Sequence, residues 1–145
     1  MKIGKLIGLF MLLGLVGCAS VPMGDKKQDT YLKNFSSVPD KAGLYVYRNE
    51  SFGGAVKMDV EVDGKPIGVT AAKTYLFKEL MPGKHTVASR AENSDSIELD
   101  VQPGKLYYIW QEVKMGVLYA RTKLHLVDEV VGQKGVNETK LAKNN

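Results

Sequence analysis

The chain has 145 residues, 44% of them hydrophobic and 25% charged, with 15 glycines and a formal charge of +4. That length fits one domain and leaves no room for two independent catalytic ones, and the composition excludes disorder throughout. Lys2 and Lys5 fall in an N-terminal stretch that reads as a removable signal, so the mature chain carries 18 basic against 16 acidic side chains. That excess is too small for charge-driven binding of nucleic acid.

Met1 to Lys5 holds the two lysines, Leu6 to Val16 is an unbroken apolar run, and small residues follow at once, which is the order of a secretory signal over residues 1–17. Eleven residues make roughly 16 Å of helix against a hydrocarbon core of about 30 Å. The uncharged stretch continues to Met23, which leaves an uncleaved anchor as the alternative.

Leu15-Val16-Gly17-Cys18 resembles the bacterial lipobox, and Cys18 is the only cysteine. The resemblance implies that the Cys18 sulfur takes a diacylglyceryl group through a thioether, that the Gly17–Cys18 bond is cut, and that the freed amine of Cys18 is acylated with a palmitate-like chain. A thiolate has the nucleophilicity the first step needs. Two or three chains, at about 0.8 kcal/mol per buried CH₂, hold a protein that one myristoyl chain would hold only marginally. Ala19 and Ser20 follow the cysteine, with no Asp, and in a diderm host the resemblance then implies a cell-envelope lipoprotein at the outer membrane, facing the periplasm.

From Cys18 to Lys41 the chain is polar and turn-rich, with Pro22, Gly24, Ser36-Ser37 and Pro39. It reads as a flexible tether holding the domain an average of about 25 Å from the lipid, with Leu32 and Phe35 able to dock. Period two dominates from Leu44 to Val127. Val56, Met58, Val60 and Val62 alternate with Lys57, Asp59 and Glu61, the pattern of a half-buried strand. Asp63-Gly64 then turns the chain into Ile67-Gly68-Val69 as a hairpin.

Further strands are predicted at Leu44–Arg48, Tyr75–Leu80, Thr86–Ser89, Ile97–Val101, Leu106–Lys114 and Val117–Val127. Two Pro-Gly-Lys turns, Pro82-Gly83-Lys84 and Pro103-Gly104-Lys105, punctuate them, with Pro presetting φ and Gly accepting φ > 0. The prediction is an all-β domain over 42–131, a small antiparallel β-sandwich of seven or eight strands. A helical turn or two is expected from Asp128, ending before Gly132 and Gly135, and residues 132–145 are expected to form a polar, frayed tail.

Val60-Glu61-Val62-Asp63-Gly64-Lys65-Pro66-Ile67-Gly68, followed by a strand and then Leu80-Met81-Pro82-Gly83-Lys84-His85-Thr86-Val87, resembles the PEGA-type module. More closely, the chain is similar to an uncharacterised group of small bacterial lipoproteins carrying a PEGA-like domain of unknown function. The resemblance covers Ala42 to Val130 and implies an extracytoplasmic β-sandwich without known catalysis.

Catalytic chemistry has few candidates, since a nucleophile needs a base within hydrogen-bond reach. His85 and His125 both read as strand residues, and either beside a carboxylate in a concave pocket would favour a hydrolase. Two distant histidines and no spare thiol argue against zinc. Asp59, Glu61, Asp63 and Gly64 mimic the start of a calcium loop, but Thr70 stands where a bidentate Glu belongs and Pro66 interrupts. No catalytic residue, metal or cofactor is therefore expected. The aromatics are better candidates for contact. Tyr108 and Trp110 share one face of a strand, an aromatic strip suited to a protein partner or to sugar rings unless the tether or the C-terminal segment covers it. Phe52 tips the loop Asn49–Ala55. The expected role is a non-catalytic binding or structural module for an envelope protein or cell-wall polysaccharide, with an accessory subunit of a larger membrane assembly as the rival.

Overall fold

The computed structural model describes residues 20–145. The signal at 1–17, with Gly17, and the cysteine at position 18 lie outside the described residues. Among the described residues the order is α1 (Lys26–Leu32), β1 (Ala42–Arg48), β2 (Met58–Val62), β3 (Lys65–Thr70), β4 (Thr74–Leu80), β5 (Gly83–Arg90), β6 (Ser94–Val101), β7 (Leu106–Met115), β8 (Ala120–Val127), α2 (Glu129–Asn137) and β9 (Lys140–Leu141). All the strands expected from the alternation form. They make two sheets, β8-β7-β1-β4-β9 and β3-β2-β5-β6, so the architecture is the predicted small sandwich. The pairing is antiparallel except for β1 with β7 and β4 with β9, which run parallel.

The turns follow from their residues. Asp63 and Gly64 sit at φ 52° and 77° between the paired Val62 and Lys65, the two positive φ values of the turn that matches strand twist. Pro66 is tolerated because β3 is an edge strand, where a missing donor costs little. The inner faces bury Leu44, Val46, Leu76 and Ile109 against Val60, Val62, Val87 and Leu99. Strict alternation along β1 also carries Arg48 inside, fully buried. Its Nη1 donates to the carbonyls of Val56 (2.8 Å) and Thr70 (3.2 Å), and its Nε has no partner. Beside it runs a polar seam between the sheets. Thr70 donates to Gln111 Oε1 (2.6 Å), Gln111 Nε2 donates to Ser89 (2.6 Å), and Ser89 shares a hydrogen with Thr122 (2.7 Å).

The segments at both ends of the domain differ from expectation. The stretch from Ser20 to Lys41 is not a free tether. Asp25 caps α1 by accepting from Lys27 and Gln28, Gly24 N–H donates to the Leu141 carbonyl (2.9 Å), and Val21 and Leu32 are buried. Residues 132–145 are not a frayed tail either. After β8 the chain crosses the outer face of the five-stranded sheet as α2 and adds β9 at the opposite edge. Gly132 and Gly135, expected to stop the helix, lie inside it, because their missing Cβ atoms let α2 settle on Tyr108 and Tyr47.

An aromatic layer therefore lies between the sheet and the helices. Tyr45 stacks on Tyr108 with ring centroids 5.2 Å apart, and Phe35 packs on both. The Tyr45 hydroxyl donates to the Leu32 carbonyl (2.7 Å) and the Tyr75 hydroxyl to Asp29 (2.7 Å). Burial raises the pKa of both phenols, which keeps them donors to these two acceptors.

Candidate functional site

The predicted aromatic strip is divided by the outer layer. Tyr108 and Trp110 do share the outer face of β7, but α2 and Phe35 cover Tyr108, which is 1% exposed. Tyr108 is therefore removed from the contact surface, as the covering by the C-terminal segment required. Trp110, one step beyond the helix, is half-buried. One ring face stacks on His125 of β8 (4.8 Å, 23°), and Nε1 donates to Glu50 Oε2 (3.0 Å). Glu50 Oε1 also accepts from the Val113 N–H (2.8 Å), so one carboxylate ties the β1–β2 loop to β7. His125 Nε2 meets Glu112 Oε2 at 2.7 Å. The result is a fixed platform of Trp110, His125 and Glu112 on the part of the sheet the helices leave open.

Phe52, at the tip of the same loop, is 55% exposed. Close to it stands a feature the sequence reading missed, the β7–β8 hairpin tip. Its side chains Met115, Val117 and Leu118 are 80%, 91% and 94% exposed. The tip is nevertheless held firmly. Glu92, on the β5–β6 turn, accepts from the backbone N–H groups of Val117 (3.0 Å), Leu118 (2.6 Å) and Tyr119 (3.0 Å), which holds its own carboxyl below the usual carboxylate range. A Cβ at Gly116 would meet Glu92 Oε2 at 1.6 Å, so the glycine is what admits the carboxylate. The Tyr119 hydroxyl accepts from the Lys57 N–H (3.1 Å) and donates to the Ala55 carbonyl (3.3 Å), joining the tip to the Phe52 loop. The sequence signal was there in Met115-Gly116-Val117-Leu118-Tyr119, an apolar stretch that the alternation absorbed into a strand.

Both histidines stand beside carboxylates. His85 Nδ1 lies 2.6 Å from Asp63 Oδ2 and Nε2 lies 2.6 Å from the Met81 carbonyl. With both ring nitrogens facing acceptors, protonation is favoured. The hydrogen bond to Asp63, then that to Met81, raises the His85 pKa, and the same bond, with the Thr86 N–H, lowers that of Asp63. His85 thus has no free nitrogen with which to take a proton from a substrate, and among the described residues neither histidine is hydrogen-bonded to a hydroxyl. The calcium-like run is occupied from within. Glu61 forms a two-pronged pair with Arg90 (2.8 and 3.0 Å), and Asp63 holds His85.

Fold and site together define a two-sheet β-sandwich with a helical outer layer, an open aromatic platform and an apolar end. The chain belongs to the family described as "Protein of unknown function (DUF2846)", whose model matches residues 39–122. It is also similar to a Haemophilus influenzae protein named "Uncharacterized protein", 34% identical over 141 residues, which covers 95% of this chain and 82% of the relative. That likeness extends past the family match into α1 and α2.

Proposed function

We propose that the protein is a PEGA-like envelope lipoprotein, anchored through acylated Cys18 at the outer membrane, whose sandwich is a non-catalytic binding module for another envelope protein. The observation that carries this reading is the platform. Trp110 is anchored on one side by His125 and at its edge by Glu50, a preorganised aromatic of the kind that dominates protein interfaces, with the exposed Lys123 on the same face of β8, opposite Glu112. One ring face is already occupied, which favours a protein side chain over the broad stacking a sugar prefers. The PEGA-like reading is supported by the two turns that carried the resemblance, which meet through Asp63 and His85.

A photo-reactive residue at position 123, on the platform's face of β8, with one at position 102 as control, tests the reading in cells. A discrete protein adduct at 123 alone is expected. Adducts at neither position, or attached wall glycan without protein, would overturn the choice of partner.

A further inference from the structure

The four apolar side chains Phe52, Met115, Val117 and Leu118 gather at one end of the sandwich, and the same end receives the chain. β1 and β7 run parallel, so the β1–β2 loop and the β7–β8 tip leave the sheet in the same direction. β4 begins there too, since Thr74 pairs with Arg48. Ser20 and Val21 share a shallow cleft with Ala71–Thr74 of the β3–β4 turn. Ser20 therefore lies at the level of these loops, about three strand spacings, or roughly 14 Å, from the hairpin. Cys18 is two residues from Ser20, and two residues span at most about 7 Å.

We infer that this end of the sandwich is a second membrane contact, in which the β7–β8 tip and the Phe52 loop insert into the lipid interface beside the acylated N-terminus. The inference rests on the lipoprotein reading for the position of the bilayer. The choice of lipid over a protein partner comes from rigidity and charge. Glu92 fixes the tip with three backbone hydrogen bonds, so its aliphatic side chains are held in water by the fold. Lys57, Lys73, Lys114 and Arg121 are exposed on the adjoining strands and turns, while the acidic groups there are engaged within the protein, Glu92 by the tip amides, Glu50 by Trp110 and Val113, Glu112 by His125 and Lys114, and Glu138 by Asn49. Apolar tips ringed by cations suit an anionic lipid interface. The platform of Trp110 and His125 lies on the side of the sheet, where this seating leaves it free for a partner.

The test uses full-length, processed protein reconstituted in vesicles of three parts phosphatidylethanolamine to one part phosphatidylglycerol. Leu118→Cys and, at the opposite end, Gln102→Cys are each labelled with a nitrobenzoxadiazole dye, because an acylated Cys18 does not react. The expected result is blue-shifted emission at position 118, quenched at least twofold by doxyl-lipid, with water-like, unquenched emission at position 102. A fatty-acid label on the same sample reports the anchor separately. Labelled protein that floats with the vesicles but leaves position 118 water-like would overturn the inference and spare the lipoprotein reading. Unlabelled protein quenched at 118 would support the membrane contact while removing the anchor, and unlabelled protein that is unquenched would overturn both. Melting curves of the two variants guard against a misfolded tip, and Val117→Cys replaces Leu118→Cys if the latter melts early.

Discussion

Replacing Gly132 or Gly135 with Ala asks directly whether α2 is seated on the sheet. An added Cβ at Gly132 would stand 2.2 Å from Tyr108 Cγ and 2.3 Å from its Cβ, and one at Gly135 would stand 2.1 Å from Tyr47 Cε2. Ordinary carbon contacts need about 3.5–4.0 Å. Tyr108 Cβ is fixed to the backbone, so no rotamer change moves it, and at position 132 the helix itself must retreat by more than an ångström. Overpacking of that kind costs about 1–3 kcal/mol. Against it, Ala gains about 0.8–1.0 kcal/mol over Gly in a helix interior. Each substitution should therefore destabilise the protein by up to about 2 kcal/mol, a fall in melting temperature of up to roughly 8 °C for a domain this size. Thermal unfolding of the full chain in mild detergent, followed by circular dichroism, measures it. Lys134→Ala on the exposed side of α2 is the control and should be near neutral. Glycine variants melting at or above the parent would mean that helix propensity wins and α2 does not rest on Tyr47 and Tyr108.

Three further outcomes follow from the same geometry. Gln111→Leu cuts the seam between Thr70 and Ser89 and should cost about 1–3 kcal/mol, read by urea denaturation, whereas an unchanged midpoint would mean the seam contributes nothing. The Asp63–His85 contact stabilises the fold fully below the ordinary imidazole range, because the folded His85 pKa is raised, and is lost as pH rises through that raised value. On the acid side it fades as pH falls through the lowered pKa of Asp63. His85→Ala should lower stability by about 0.5–1 kcal/mol at pH 6 and flatten the decline between pH 6 and 8, and a variant that keeps the parent's slope would assign that slope to other groups. Trp110 is the single tryptophan, so Glu50→Ala should shift its emission to longer wavelength and raise its quenching by acrylamide, while an unmoved spectrum would mean the Glu50 carboxylate does not hold the indole.

The strands were legible because each inner face repeats every second residue and each turn carries residues able to adopt it. Val56 to Val62 and Asp63-Gly64 are the clearest cases. The same alternation, continued one step along β1, puts Arg48 in the core, a consequence visible in the sequence and easily passed over. The outer layer was illegible for a physical reason. α1 is polar, and its fit depends on one buried leucine and on the tyrosine hydroxyls of other elements. α2 packs with glycines, residues that read as helix stops, because the sheet beneath supplies the bulk through Tyr47 and Tyr108. The pairing of Tyr108 with Trp110 was correctly placed on one face, but only the path of α2 decides that the first is covered and the second half open. The apolar tip was hidden because Val117 and Leu118 satisfy a strand pattern. What exposes them is the carboxylate of Glu92, 25 residues away from Val117.

The lipoprotein proposal turns on Cys18, and metabolic labelling of cells with an alkyne fatty acid, comparing the parent with Cys18→Ser, tests it. A labelled, processed parent in the membrane fraction and an unlabelled variant that retains its signal are expected. A parent without label, or a Cys18→Ser variant that keeps it, would remove the lipid anchor.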